Sequence, residues 1–254
     1  MVVPSDPPQQ GVSGTGSDIE DDEPVDYVSS APDFSCFMHT PCYCEENVYF
    51  LCKKMMQMGL SDPRGIDLFV VFISNHNRQV PLWKQKASKE DDGLVLWDYH
   101  VICIQSKSNK NRQRCRVSEG TCDDFVWDLD STLPFPSPLN QYVIETIKPT
   151  LLLHTNFRRL FRIIHAPHFI KYFASDRSHM RDSNGNWLSP PPPYEPIVSE
   201  DGILNNLTDY IEMHTQNMKT DFEDLVFDVF SNNVGTVISE TQLEGLFSSI
   251  QDRK

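Results

Sequence analysis

The stretch at 67–74, DLFVVFIS, constrains this chain more than any other part of it. It is almost wholly apolar and rich in β-branched and aromatic side chains, which suits a buried β-strand. Residues 80–85 are expected to be its hairpin partner, and 94–105 (LVLWDYHVICIQ) and 125–130 (FVWDLD) two further strands, separated by a basic polar loop at 107–119. Ahead of them Val48, Leu51, Cys52 and Met55 recur at i, i+3, i+4 and i+7, one face of an α-helix that begins at or just before Cys44. The expected fold class is therefore α+β, a mostly antiparallel sheet with a helix before it in sequence. Further on, 140–147 and 168–173 read as short helices, 159–164 as a strand and 182–187 as a turn. The prolines at 190–193 have no amide donors and must be extended, as a strap across the surface. Phe222, Leu225, Val226, Val229 and Phe230 mark an acidic amphipathic helix, and Ser239 with Gln242 is a capping-box signature for a last one.

With 254 residues the chain can bury a substantial core. No stretch approaches the roughly 20 uninterrupted apolar residues of a membrane helix, so no membrane association is expected. Residues 1–33 carry eight acids, no base and no apolar segment of a secretory signal. They are expected to be a disordered acidic tail, leaving 34–254 as a single domain with an acidic helical C-terminal region. A cytoplasmic setting, or a nuclear one, follows, in which the seven cysteines stay thiols. Net charge is -14, while the middle of the chain is close to neutral. General nucleic-acid binding needs a basic field and is not expected.

The nucleotide signatures GxxxxGK[ST] and strand-linked GxGxxG are absent, as are HExxH and GxSxG. His39, Cys42, Cys44 and Cys52 are close in sequence, but Cys42-x-Cys44 is tighter than a zinc knuckle and lacks a second pair, so no metal is expected. Calcium is no better served, because the Gly and Glu of an EF-hand loop do not accompany Asp128 and Asp130. Cys44 is a different matter: a thiol at a helix N-terminus faces unpaired amides and the positive dipole end, which favour the thiolate, the alternative being a buried inert cysteine. Strand alternation along 97–101 puts Asp98 and His100 on one face and Trp97, Tyr99 and Val101 on the other. Asp128 and Asp130 share a face in the same way. If the two strands are neighbours, Asp98, His100, Asp128 and Asp130 form a polar strip that needs partners or a function, unless it is simply the solvent side of the sheet. Arg112, Arg114 and Arg116 read as a solvated hairpin edge, and 176–179 as a loop that either lines a cleft or holds itself together.

Cysteine on a helix, histidine on a strand and aspartate on a following strand is the order of papain-like and transglutaminase-like folds. Specific motifs join it: CYCEEN at 42–47, VFISN at 71–75, WKQ at 83–85, WDYHV at 97–101, DLD at 128–130 and LPFP at 133–136. FASDRSHM at 173–180, GNW at 185–187, PPPPY at 190–194 and, more weakly, NLTDYI at 206–211 continue the series. Over most of 42–213 the chain resembles the eukaryotic N-terminal glutamine amidohydrolases of the N-degron pathway, whose hallmark is that WDYHV. The resemblance implies a papain/transglutaminase-like core and a Cys44, His100, Asp128 triad. It implies deamidation of an N-terminal Gln to Glu through a thioester, with release of ammonia and no cofactor. Partners would be protein or peptide substrates with a free N-terminal Gln, met by a monomer. Holding their α-ammonium calls for carboxylates or carbonyls, with Asp98, Asp130 and Asp176 as candidates. A papain-like cysteine protease, a transglutaminase, or a non-catalytic adaptor using the proline run and acidic helices are the alternatives.

Overall fold

The computed structural model describes residues 34–106, 124–215 and 218–252. The expected tail at 1–33 and the loop at 107–119 with Arg112, Arg114 and Arg116 lie outside these residues. Helix α1 (Cys44–Gln57) forms where the 3.6-residue pattern places it, and Val48, Leu51, Cys52 and Met55 are all buried. Strand β1 (Leu68–Ser74) is buried along its whole length. Phe69, Val71 and Ile73 face one cluster of apolar side chains and Leu68, Val70 and Phe72 the other, so both faces of the sheet are covered. Fully burying each such side chain is worth about 1.5–3 kcal/mol, which makes β1 the anchor of the domain.

Around it stand β4 (His100–Gln105), β5 (Phe125–Trp127), β6 (Ser137–Pro138), β7 (Leu160–His165) and β8 (Thr236–Ser239), in the order β6-β5-β4-β1-β7-β8. Every neighbouring pair is antiparallel. α1 and α3 (Ala166–Tyr172) contribute Val48, Leu51, Met55 and Phe169 to one apolar cluster. The other receives Tyr142 from α2 (Leu139–Tyr142), Val143 and Ile147 from the π-helical turn that continues it, Leu225 and Val229 from α5 (Phe222–Ser231), and Phe247 from α6 (Leu243–Asp252). A short α4 (Leu207–Ile211) packs beside the first cluster. The capping box is present, with Gln242 Oε1 accepting from the Ser239 amide at 3.0 Å.

Three strand expectations are corrected. β2 (Val80–Leu82) pairs with β3 (Val95–Trp97) in a separate two-stranded sheet rather than with β1. Both edges of β1 are taken by β4 and β7, and buried Asn75 turns the chain away. Its Oδ1 accepts from the Asn77 and Gln79 amides, while its Nδ2 donates to the carbonyls of Gln79, Asn156 and Arg158. The run at 94–105 is two strands, because it bends at Asp98 and Tyr99, where the Asp98 carboxylate takes the Tyr99 amide at 2.9 Å. Such side-chain competition for a backbone donor ends a ladder. Likewise β5 stops at Trp127, and Asp128 Oδ1 accepts the Asp130 amide at 2.9 Å to make a turn.

Candidate active site

Cys44 is the first residue of α1, and its side chain reaches a cleft of about 500 Å³ at the end of the sheet. Trp97, Asp98, Tyr99, Asp130, His179 and Leu207 are among the walls. The position is the expected one, but the electrostatics differ from those of a bare helix terminus. Burial first, then the charges of Glu45 and Asp130, push the Cys44 thiol well above the ordinary range, against a lowering by a hydrogen bond from the Val101 backbone. Glu45 Oε2 lies 3.7 Å from the sulfur and accepts from the thiol.

Adjacent strands β4 and β5 bring His100 and Asp128 together. His100 is fully buried, and its Nε2 is 3.0 Å from Asp128 Oδ1. Tyr142 donates to Asp128 Oδ2 at 2.8 Å, so with the Asp130 amide the carboxylate has three partners. Burial by itself raises Asp128, but the charge and hydrogen bond of His100 outweigh it and the net shift is downward. Burial by itself lowers His100, yet the charge and hydrogen bond of Asp128, followed by the charge of Asp130, carry it upward. The pairing with Asp128 therefore makes the imidazolium easier to form than in water. His100 Nδ1 is buried with no hydrogen-bond partner among the described residues. Trp97 stacks on the imidazole, ring centroids 5.2 Å apart, and donates to Gln85 at 3.2 Å. The bend at Asp98 and Tyr99 puts Trp97 over His100, so the single alternating face drawn for 97–101 does not exist.

Of the expected strip, His100, Asp128 and Asp130 converge, with one ligand-type atom from each within 4.8 Å of the others. Both aspartates already have partners: Asp128 as above, and Asp130 Oδ1 with His39 Nε2 at 2.7 Å. Asp98 leaves the strip but lines the cleft, where it is exposed. Asp176 is not among the lining residues; its Oδ1 accepts from the Ser178 amide and from Asn205, two residues that do line it. His39, Cys42, Cys44 and Cys52 do not assemble, since Cys52 lies in the core 3.7 Å from the Cys103 sulfur.

Several partners escape sequence reading. Glu45 is buried, accepts from Tyr99 Oη at 2.9 Å and has its Oε1 3.5 Å from His179 Nε2. Burial, then the Glu45 charge, push the Tyr99 phenol well above its usual range, so it remains a donor. Glu46 grips Arg177 with two bonds of 2.8 and 2.9 Å, and Arg177 also donates to the Tyr194 carbonyl at 2.9 Å. With Tyr43 donating to the Ser189 carbonyl, this ties the proline run to the start of α1 as the expected strap. Acids in a first helical turn are common for dipole reasons alone, so nothing in the sequence marked Glu45 and Glu46 as partners of distant loops.

A thiol on the cleft wall and a buried imidazole–carboxylate pair beside Asp130, which lines the same cleft, are residue types that enzymes hydrolysing amides through cysteine use. The profile of the family described as N-terminal glutamine amidase matches residues 39–247. Over 218 residues the chain is 55% identical to the protein N-terminal glutamine amidohydrolase of Oryza sativa subsp. indica, covering 86% of this chain and 90% of the relative. With the Arabidopsis thaliana protein of the same name it shares 52% over 227 residues, 88% and 98% of the two chains. With that of Homo sapiens it shares 42% over 192 residues, 74% and 84%. The chain belongs to the N-terminal glutamine amidase family and is an amidohydrolase acting on a linear amide.

Proposed function

We propose that the chain deamidates N-terminal glutamine of proteins and peptides to glutamate, with Cys44 as nucleophile, His100 as acid and base, and Asp128 as the group that orients the imidazole. The observation that carries the triad is the division of labour on the His100 ring: Nε2 is held by Asp128 at 3.0 Å and Nδ1 is buried with no partner. An acid on one nitrogen sets the tautomer and leaves the other for proton transfer. His100 takes the Cys44 proton, the sulfur attacks the side-chain carboxamide carbon, and the Cys44 amide at the head of α1 donates to the oxyanion. His100 returns the proton to the nitrogen as ammonia leaves. Water, deprotonated by His100, then resolves the γ-glutamyl thioester.

The order of cysteine on a helix, histidine on β4 and aspartate just after neighbouring β5 supports a papain/transglutaminase-like core. Asp98 and Asp130 line the cleft and suit the substrate's α-ammonium. Asparagine is one methylene shorter, which a pocket distinguishes by only about 1–3 kcal/mol, so selectivity uses where the amine is held relative to Cys44. The reaction belongs upstream of the N-degron pathway, in a cytoplasmic or nuclear monomer, because a new N-terminal glutamate changes how a protein's first residue is read. Ammonia release from a Gln-initiated peptide, set against its acetylated form, tests the reading. Cys44→Ala and His100→Ala should each abolish turnover, and the double variant should be no worse than either alone, since the residues act as a unit. Turnover near wild type in either single variant overturns the triad; cleavage of a peptide bond, or transfer to an added amine, overturns the reaction.

A further inference from the structure

The Cys44 thiol lies among carboxylates. Glu45 Oε2 is its acceptor at 3.7 Å, and Asp98 and Asp130 line the same cleft. Glu45 is fully buried, and its Oε1 has no hydrogen-bond partner among the described residues. The bases nearby are largely committed. His100 serves Asp128, His39 serves Asp130, and His179 Nε2 stands 3.5 Å from Glu45 Oε1. Arg78, exposed, is the single lysine or arginine among the lining residues.

Two costs coincide here. A buried carboxylate oxygen without a donor is expensive, and a thiol facing anions resists becoming the thiolate that attacks. A cation entering the cleft relieves both. The substrate carries one, because the carbon that sulfur attacks is four bonds from the α-nitrogen, at most about 5 Å away given ordinary bond lengths. At that range a unit charge shifts the thiolate fraction on the order of a hundredfold in a partly shielded site.

We propose that Cys44 is a nucleophile switched on by its own substrate: Glu45, Asp98 and Asp130 form an anionic surround that the free α-ammonium of the bound N-terminal residue neutralises. The inference rests on the reading of Cys44 as nucleophile and N-terminal glutamine as substrate. In the empty enzyme the proton stays on sulfur, within reach of Glu45. When the ammonium is bound the S–H bond breaks, an N–H bond forms at His100 Nδ1, and the ammonium keeps its own protons. An unblocked N-terminus is then selected in the chemical step as well as in binding, and the resting thiol is spared alkylation.

The test uses the full chain and two measurements. The first compares a Gln-initiated peptide with one whose first residue is replaced by a 4-carbamoylbutanoyl group, which keeps the carboxamide and lacks the amine. At saturation kcat should fall at least tenfold for the second; equal kcat, with only KM raised, overturns the proposal. The second follows iodoacetamide alkylation of the free enzyme at neutral pH, with the label located at Cys44 by mass spectrometry. Glu45→Gln and Asp98→Asn should each speed alkylation several-fold while lowering kcat/KM for the Gln peptide. A merely structural role lowers activity without that gain, and unchanged alkylation in both variants also overturns the proposal. Asp98 is exposed and, among the described residues, its side chain bonds only the next amide, so its variant decides the matter if Glu45→Gln does not fold. Ammonia release by Cys44→Ala sinks the nucleophile reading and this inference with it; an inactive Cys44→Ala with unchanged alkylation in the other two sinks this inference alone.

Discussion

The site has two carboxylate environments, and they are built to opposite rules. On one side His100 and Asp128 form a closed pair: the carboxylate has three hydrogen bonds, Trp97 lies over the imidazole, and both groups are buried. On the other, beside the sulfur, Glu45 is equally buried but its Oε1 has no hydrogen bond among the described residues, and its neighbours Tyr99 and His179 form the cleft wall. A saturated network holds a proton donor or acceptor in one orientation and pays little for reorganising during reaction. An unsaturated one of like charge is a place for a cation from outside. On the proposed reading, adjacent residues in one helical turn divide the work, Cys44 in the chemistry and Glu45 in recognition.

The largest expected effect comes from the closed side. Asp128→Asn keeps the shape but offers His100 the wrong hydrogen-bond pattern, so kcat should fall on the order of 10⁴-fold, as when a triad aspartate is so replaced. Asp130→Asn, whose carboxylate lines the cleft and among the described residues bonds only His39, should act mainly on KM. Kinetics on Gln-initiated peptides compare the two, and a larger kcat loss at Asp130 reverses their roles. Next is the frame of the open side. Arg177→Ala leaves buried Glu46 without its partner and frees the strap, which should cost about 3–5 kcal/mol in urea denaturation, the usual result of breaking a buried pair. A loss under 1 kcal/mol means the strap is held by something else.

Tyr142→Phe removes one donor from Asp128. A hydrogen bond to a charged group is worth about 1.5–3 kcal/mol, so kcat should fall roughly ten- to a hundredfold with KM little changed, whereas Tyr99→Phe should be felt more in KM. An exchange of those patterns breaks the contrast between the two sides. The smallest effect is in pH. His100 is shifted up, so its contribution to stability is complete below the ordinary imidazole value of about 6.5 and is lost as pH rises through its higher folded value. Asp128 is shifted down, so its contribution is complete above the ordinary value of about 3.9 and is lost as pH falls through its lower folded value. The difference in Tm between wild type and Asp128→Asn should be widest from about pH 4 to about pH 6.5, and a difference flat across pH contradicts the pairing.

Much of this was legible in the chain. The apolar run of β1, the periodic face of α1 starting at Cys44, and the caps near the end all follow from local pattern, because burial on a strand or helix imposes a period of two or 3.6. The strand reading failed where a short polar side chain took a backbone donor: Asp98 at the Tyr99 amide, Asp128 at the Asp130 amide, Asn75 at two turn amides. Alternation alone cannot show such a bend, since a polar residue on a strand face and one closing an Asx turn look alike in sequence.

By itself the sequence determined α1, β1 and the end caps, the family, and which residue types stand ready: a thiol at a helix start, an imidazole and two aspartates near strand ends. The resemblance pointed to Asp128, but the contacts that separate it from Asp130, two positions on, belong to the tertiary structure: Tyr142, 14 residues later, bonds Asp128, and His39, before α1, bonds Asp130. The tertiary structure alone put Glu45 beside the sulfur with an oxygen free of hydrogen bonds among the described residues, and set Asp176, itself not in the lining, to holding Ser178 and Asn205 on the cleft wall. The physical reason is that hydrogen bonding and electrostatics act over a few ångströms through space, and the residues that line the cleft with Cys44 come from segments scattered between Cys42 and Ile211.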